Sequence, residues 1–116
     1  MSKIVLYGIA NCDTIKKAKT WMQDRGIEFV FHDYRKDGLE PSLLQDLVGR
    51  LGWESMLNRR GTTWRKLPDA IKNHIDKASA MEAMRENPAL IKRPILASDD
   101  ELYLGFSAQQ YEEIFS

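Results

Sequence analysis

The chain is 116 residues long and carries 17 basic and 17 acidic side chains, so its formal net charge is zero. This length suits one domain that buries an adequate core without disulfides or metal. A balanced charge excludes the broad electrostatic attraction that holds many proteins on nucleic acid. One cysteine and two scattered histidines are too few for a closed zinc site. We therefore expect a single domain over residues 1–116, with no metal and no direct nucleic-acid binding.

The N-terminal sequence has no apolar segment of the signal-peptide type. No apolar run elsewhere approaches the length that a membrane-spanning helix needs. We therefore expect a cytoplasmic protein that does not associate with membranes, and we expect it to be a monomer.

The first third of the chain predicts a β-α-β unit. Its elements span residues 3–8, about 13–25 and 27–33. Asn11 or Cys12 can serve as the N-cap of the helix, and Gly26 suits the left-handed position beyond its end. The two strands are expected to be parallel, because a single crossover helix joins them.

The middle of the chain, about 39–88, predicts an all-helical insertion. Helices are expected from Pro41 to about 49, over 53–57, from Pro68, and from Ser79 to the residue before Asn87. Residues 58–65 are predicted as a basic loop. Ser79 and Glu82 have the spacing of a capping box.

The last part of the chain predicts a β-β-α unit. Strands over 94–97 and 101–105 flank a turn at 98–100, so they are expected to be antiparallel, and Ser107 with Gln110 caps a closing helix. The complete order predicts an α/β protein with a four-stranded mixed sheet and a helical insertion between its two halves. That order is the plan of the thioredoxin fold.

Cys12 is the only cysteine and stands at the N-terminus of the first predicted helix. Unpaired backbone N–H groups and the positive end of the helix dipole favour a thiolate there, which makes the sulfur a nucleophile. Lys16 and Lys17 add positive charge. The alternative is that Cys12 is a small buried hydrophobic residue, and position alone does not decide between the two.

Arg93 and Pro94 stand at the start of a predicted strand, where proline is uncommon. A tight turn with a cis peptide bond would explain the proline. An ordinary trans proline at the beginning of a strand is the alternative.

Three segments together resemble the arsenate reductase-like family, which also includes the Spx regulators and the YffB proteins. The segments are YGIANCDTIKKA (7–18), NRRGTTWRKL (58–67) and LIKRPI (90–95). The resemblance extends over essentially the whole chain and is strongest to the YffB group. It implies a thioredoxin-like fold with a helical insertion.

The same resemblance implies roles for three residues. Cys12 would be the nucleophile, Arg93 an oxyanion-binding guanidinium, and Pro94 the cis-proline that shapes the site beside the thiol. An arginine suits this position because its fork of N–H donors matches a pair of oxygens and stabilises a nearby thiolate.

Four further residues are candidates for substrate binding. Arg60, or its neighbour Arg59, matches a second anion-binding arginine of the family, with a solvated basic loop as the alternative. Thr14 matches a family hydroxyl that either hydrogen-bonds the sulfur or caps the helix. Asn11, directly before Cys12, completes the set.

The chain departs from the family pattern at three positions. Phe106 stands near the third arginine of true arsenate reductases, Gly8 stands where those enzymes have a histidine, and Ile15 replaces the second cysteine of the Cys-x-x-Cys switch common in Spx regulators. The first two departures count against efficient arsenate reduction. The third excludes an intramolecular disulfide.

Any disulfide or sulfenic acid formed on Cys12 must be resolved by an external thiol, for which glutathione is the abundant cytosolic choice. The leading hypothesis is therefore a glutathione-dependent monothiol reductase in which Arg93 and Arg60 hold a carboxylate of glutathione or substrate. The alternative implied by the resemblance is an Spx-like binding module that contacts RNA polymerase or another protein. In that module Trp53 would anchor the interface, unless it is a partly buried core residue.

Overall fold

The computed structural model describes residues 3–10, 12–99 and 101–115. The chain divides into two compact units, the first within Met1–Asp37 and Arg93–Ser116 and the second Gly38–Lys92. Within the described part of the chain, no helix is long and apolar enough to span a membrane. The single domain with an insertion over about 39–88 stays a prediction.

The helices and strands follow the predicted order. They are β1 (Ile4–Gly8), α1 (Asp13–Asp24), β2 (Val30–Asp33), α2 (Pro41–Leu51), α3 (Trp53–Met56), α4 (Thr62–Arg65), α5 (Asp69–Lys72), α6 (Lys77–Glu86), β3 (Ile95–Ser98), β4 (Glu101–Leu104) and α7 (Ala108–Phe115). A short 3₁₀ turn, Pro88–Leu90, precedes β3.

The first unit contains a four-stranded mixed sheet with the strand order β2-β1-β3-β4. Strands β1 and β2 are parallel, with Tyr7 opposite His32, whereas β3 is antiparallel to both β1 and β4. The sheet therefore confirms the predicted α/β class and the direction of every predicted strand pair. It also sets the end of β1 beside the start of β3, because Tyr7 lies opposite Ile95.

One face of this sheet packs against α1 and α7. The buried core on that face consists of residues from both helices and two strands: Leu6, Ala18, Trp21, Met22, Leu96 and Tyr111. Burial of this apolar surface is the main stabilising contribution to the unit.

Helix α1 ends one residue before the predicted bound, and its end explains why β2 is shorter than predicted. Gly26 has φ +68°. Its N–H donates to the Gln23 carbonyl, and the Ile27 N–H donates to the Met22 carbonyl, which is the Schellman pattern. Since the Ile27 amide completes this helix cap, Ile27 does not begin the strand as predicted, and β2 starts at Val30.

The second unit corrects the predicted start of α6. The helix begins at Lys77, with Asp76 as its N-cap. The Asp76 carboxylate accepts the Ser79 N–H at 2.9 Å, and the Ser79 hydroxyl accepts the Asp76 N–H at 3.0 Å. The predicted box between Ser79 and Glu82 is therefore wrong, because Ser79 occupies the third helical position of a box that begins at Asp76.

Two other predictions in the second unit also need correction. The basic segment 58–65 is not entirely a loop, because α4 forms one helical turn within it. The helix predicted from Pro68 is a single turn, α5, whose Ile71 is exposed rather than part of a core. An apolar residue that does not pack against another element adds little to the stability of a helix, so it does not make a short helix longer.

Gly8, the last residue of β1, is in close contact with α1. A Cβ atom at this position would overlap the Cδ1 atom of Ile15, which is completely buried. No larger residue, and therefore no histidine, fits at position 8 while Ile15 keeps its place.

Replacing Gly8 with alanine should therefore destabilise the protein by about 1–3 kcal/mol, as overpacking of a full core does. Gly49→Ala is the matched control, because Gly49 lies in α2 and a Cβ there meets nothing within 4 Å. The control should be neutral or stabilising by up to about 1 kcal/mol. Urea unfolding of both variants measures the difference, and equal midpoints would contradict the predicted overlap.

Candidate active site

Three chain segments meet at one edge of the sheet. Cys12 follows the end of β1, Arg93 precedes β3, and Tyr34 follows the end of β2. These segments converge because β1 runs parallel to β2 and antiparallel to β3, so the ends of β1 and β2 lie beside the start of β3. The predicted nucleophile and the predicted arginine are therefore neighbours in the first unit.

Cys12 is the N-cap residue of α1, and its free thiol is half-buried. Its side chain forms no cap hydrogen bond with the helix backbone. The backbone N–H groups of Ile15 and Thr14 nevertheless face the sulfur closely enough to stabilise a negative charge there. This arrangement favours the reactive thiol over the inert buried residue as the interpretation of Cys12.

Opposing effects act on the pKa of the Cys12 thiol. Burial, the largest, raises this pKa, but the Ile15 N–H, the Arg93 guanidinium and the Thr14 N–H together outweigh burial and lower it below the ordinary range. Arg93 acts both as a hydrogen-bond donor to the sulfur and through its positive charge.

Arg93 is half-buried, and its peptide bond to Pro94 is cis. The structure thus decides between the two conformations that the sequence left open. Pro94 is buried, and its carbonyl accepts the Gly105 N–H at 2.8 Å, which ties the segment before β3 to the end of β4.

The remaining predicted site residues are Thr14, Asn11, Arg59 and Arg60. Thr14 reaches the sulfur through its backbone N–H, and the predicted contact of its hydroxyl stays a prediction. Asn11 lies outside the described residues. Arg59 and Arg60 are exposed in the second unit, where the Arg59 guanidinium lies 5.5 Å from the Trp64 ring and the Arg60 N–H donates to Asn58. Their role in anion binding stays a prediction.

Tyr7, His32 and Tyr34 form an aromatic cluster that no sequence pattern predicted. Tyr34 is 2% exposed, and its ring stacks on Tyr7 with 6.3 Å between centroids; His32 lies 5.3 Å from Tyr7. Burial raises the pKa of the Tyr34 phenol, and the nearby Tyr7 raises it further, whereas the Arg93 charge opposes both. The predicted pairing of the two strands could have indicated this cluster. Tyr7 lies opposite His32, and Tyr34, two residues after His32, falls on the same side of the strand.

Phe106 occupies the position near which the family pattern has a third arginine. Its ring packs edge-on against buried Tyr111, with 4.7 Å between centroids. This side chain therefore belongs to the apolar core of the first unit and supplies no charge to an anion near Cys12.

The pH dependence of Cys12 alkylation checks this arrangement. A thiol with a lowered pKa is ionised at lower pH, so the rate should rise with an inflection below the free-cysteine value of roughly 8.5. Arg93→Gln should move that inflection to higher pH, because the guanidinium stabilises only the thiolate. Arg25→Gln is the charge-matched control, since Arg25 lies on the Trp21 ring at 3.9 Å and should leave the inflection unchanged. An unmoved inflection in Arg93→Gln would contradict the predicted contact.

Comparison with known proteins identifies the family. The model of the ArsC family matches residues 7–114. An uncharacterised protein of Haemophilus influenzae is 45% identical over 113 residues, which cover 97% of this chain and 99% of that protein. A global transcriptional regulator Spx of Streptococcus agalactiae is 25% identical over 109 residues, which cover 92% of this chain and 79% of the regulator.

Solved structures agree with this assignment. A YffB protein is 40% identical, covers 98% of this chain and 100% of its own, and superposes with a TM-score of 0.91. An arsenate reductase related protein from Brucella melitensis is 46% identical, with coverage of 98% and 95% and a TM-score of 0.81. A glutaredoxin from Archaeoglobus fulgidus, 14% identical with coverage of 99% and 87% and a TM-score of 0.50, shares the fold alone. The sheet and helices of this chain are thus thioredoxin-like. The chain belongs to the ArsC family.

Proposed function

We propose that this protein is a cytoplasmic glutathione-dependent monothiol reductase with Cys12 as its nucleophile. The observation that carries the proposal is the contact of the Cys12 sulfur with Arg93 and the N-terminal amides of α1, which lowers the pKa of the thiol. A thiolate at the working pH is the reactive form in thiol–disulfide exchange. Membership of a family that includes arsenate reductase related proteins supports the same class of chemistry.

The proposed cycle uses two molecules of glutathione. The Cys12 thiolate attacks a disulfide, so that one S–S bond breaks, a Cys12 mixed disulfide forms, and the first product thiolate leaves and takes up a proton. A glutathione thiolate then attacks the Cys12 sulfur, releases the second product thiol and leaves a Cys12–glutathione disulfide. A second glutathione restores the thiolate and leaves as oxidised glutathione, so two electrons pass from glutathione to the substrate.

External thiols are required because Cys12 is the only cysteine of the chain. In the proposal, Arg93 holds a carboxylate of glutathione or of the substrate beside the sulfur, and Arg60, with Arg59 next to it, supplies a second guanidinium. Small thiols, disulfides and oxyanion adducts are the corresponding ligands. Arsenate is a poor candidate substrate, because Phe106 adds no charge and position 8 is occupied by glycine instead of histidine.

A glutathione-coupled disulfide reductase assay tests the proposal. Cys12→Ser should reduce the activity to background, and Arg93→Gln should lower it about ten- to hundredfold, as expected for losing a hydrogen bond to a charged group. Arg25→Gln should retain wild-type activity. Mass spectrometry should detect one glutathione adduct on wild-type protein and none on Cys12→Ser. Activity that survives in Cys12→Ser would disprove the proposed role of the thiol.

A second candidate function is a protein-binding module. It is favoured by the alignment of the Streptococcus agalactiae regulator Spx with 92% of this chain. The segment between α2 and α3 suits a contact surface, because Gly52 has φ +87° and the adjacent Trp53 is only half-buried.

For this candidate, purified RNA polymerase should retain the wild-type protein and Cys12→Ser equally in a pull-down experiment. Trp53→Ala should bind more weakly, because a half-buried aromatic anchor contributes most of its energy through the partner's pocket. Leu102→Ala, a half-buried residue of β4 in the first unit, serves as the control for general loss of packing. Absence of retention under both reducing and oxidising conditions would exclude RNA polymerase as the partner.

A further inference from the structure

The turn after β2 holds Tyr34 in a fixed position. The Asp33 carboxylate, 8% exposed, accepts the backbone N–H groups of Arg35 and Lys36, and the Asp37 carboxylate accepts the Asp33 N–H at 3.0 Å. The Tyr34 N–H donates to the Gly8 carbonyl at 2.9 Å. These bonds tie the backbone of Tyr34 to the end of β1, from which the chain leads to Cys12.

The Tyr34 hydroxyl is buried and has no hydrogen-bond partner among the described residues. The same is true of the Tyr111 hydroxyl. A buried hydroxyl without a partner is costly, so each case calls for an explanation. The surroundings of the two tyrosines differ. Tyr111 lies among the rings of Trp21, Phe106 and Phe115, whereas Tyr34 lies within electrostatic range of the Arg93 guanidinium.

We propose that the Tyr34 hydroxyl donates a hydrogen bond to an anionic group, of the carboxylate class, that Arg93 holds beside the Cys12 sulfur. A carboxylate has about four lone-pair sites on two oxygens, so a guanidinium and a phenol can bind it together. Because the hydroxyl is shielded from bulk water, the anion must displace neighbouring side chains to reach it, and the bond that then forms does not compete with solvent. The assignment rests on the proposed function only in taking a thiol co-substrate or disulfide as the source of the carboxylate.

The ionisation of Tyr34 agrees with a donor role. Burial keeps the pKa of this phenol above its ordinary value, so the O–H group persists throughout the pH range in which the Cys12 thiolate forms. Arg93 interacts with both side chains, which places the thiolate, the guanidinium and the phenol in one electrostatic cluster. Sequence patterns gave no role to Tyr34, since it begins a polar turn.

Two alkylating reagents that differ in one charge test the assignment. Iodoacetate and iodoacetamide react with Cys12 in the same way: the thiolate attacks the CH₂ carbon, a C–S bond forms, and iodide leaves with the electron pair. Only iodoacetate carries a carboxylate next to the reacting carbon. The ratio of the two rate constants, divided by the same ratio for free glutathione, cancels the thiolate fraction and reports stabilisation of the carboxylate alone.

In the wild-type protein this normalised ratio should favour iodoacetate. Tyr34→Phe should lower it about three- to tenfold, the effect of one hydrogen bond to a charged group when it is partly formed in the transition state. Tyr111→Phe, which also removes a buried hydroxyl without a partner, should leave the ratio unchanged. Arg93→Gln should lower the ratio as well, since it removes the charge that holds the carboxylate.

Three results would overturn the assignment. The first is a normalised ratio for Tyr34→Phe equal to that of the wild-type protein. The second is an equal decrease in both alkylation rates in Tyr34→Phe, which indicates a structural role. The third is a lower urea midpoint for Tyr34→Phe than for Tyr111→Phe, which indicates a protein partner for the hydroxyl. Because the reagents require neither glutathione nor turnover, a negative glutathione assay alone would remove the proposed reductase function and leave this assignment standing.

Discussion

The candidate site depends on one interaction, between the Arg93 guanidinium and the Cys12 sulfur. The two residues are far apart in the sequence, and only the antiparallel pairing of β3 with β1 brings them together. The position of Cys12 as the N-cap of α1 adds the amides of Thr14 and Ile15. A partly buried sulfur would otherwise resist ionisation, so the fold offsets a cost that burial itself imposes.

The candidate site has apolar or small residues at two positions where the family pattern has polar ones. Core packing occupies the positions where the family pattern places further polar groups. Phe106 is packed against Tyr111, and Gly8 is in contact with Ile15. The described residues around Cys12 provide a lone thiol, the Arg93 guanidinium and the helix amides, together with a buried phenol, and the proposed thiol exchange depends on these groups.

Sequence patterns predicted the features that depend on neighbouring residues. The start of α1 at Asp13 and the left-handed Gly26 follow from capping rules, which act over a few residues. Ser79 was assigned to the wrong end of its capping box, because Asp76 offers an equally good pattern three residues earlier and only the backbone decides. Tyr34 had no predicted role, because its burial depends on the pairing of β2 with β1 and on residues distant in the chain, and a local pattern shows neither.

The contact between Gly8 and Ile15 couples two positions that the family pattern treats separately. A larger residue at position 8 requires Ile15, which is completely buried, to move or to be replaced by a smaller side chain. Cysteine is smaller than isoleucine and has no atom that corresponds to Cδ1, so a cysteine at position 15 would remove the overlap. One substitution at position 15 would therefore both restore the two-cysteine pattern and open space at position 8.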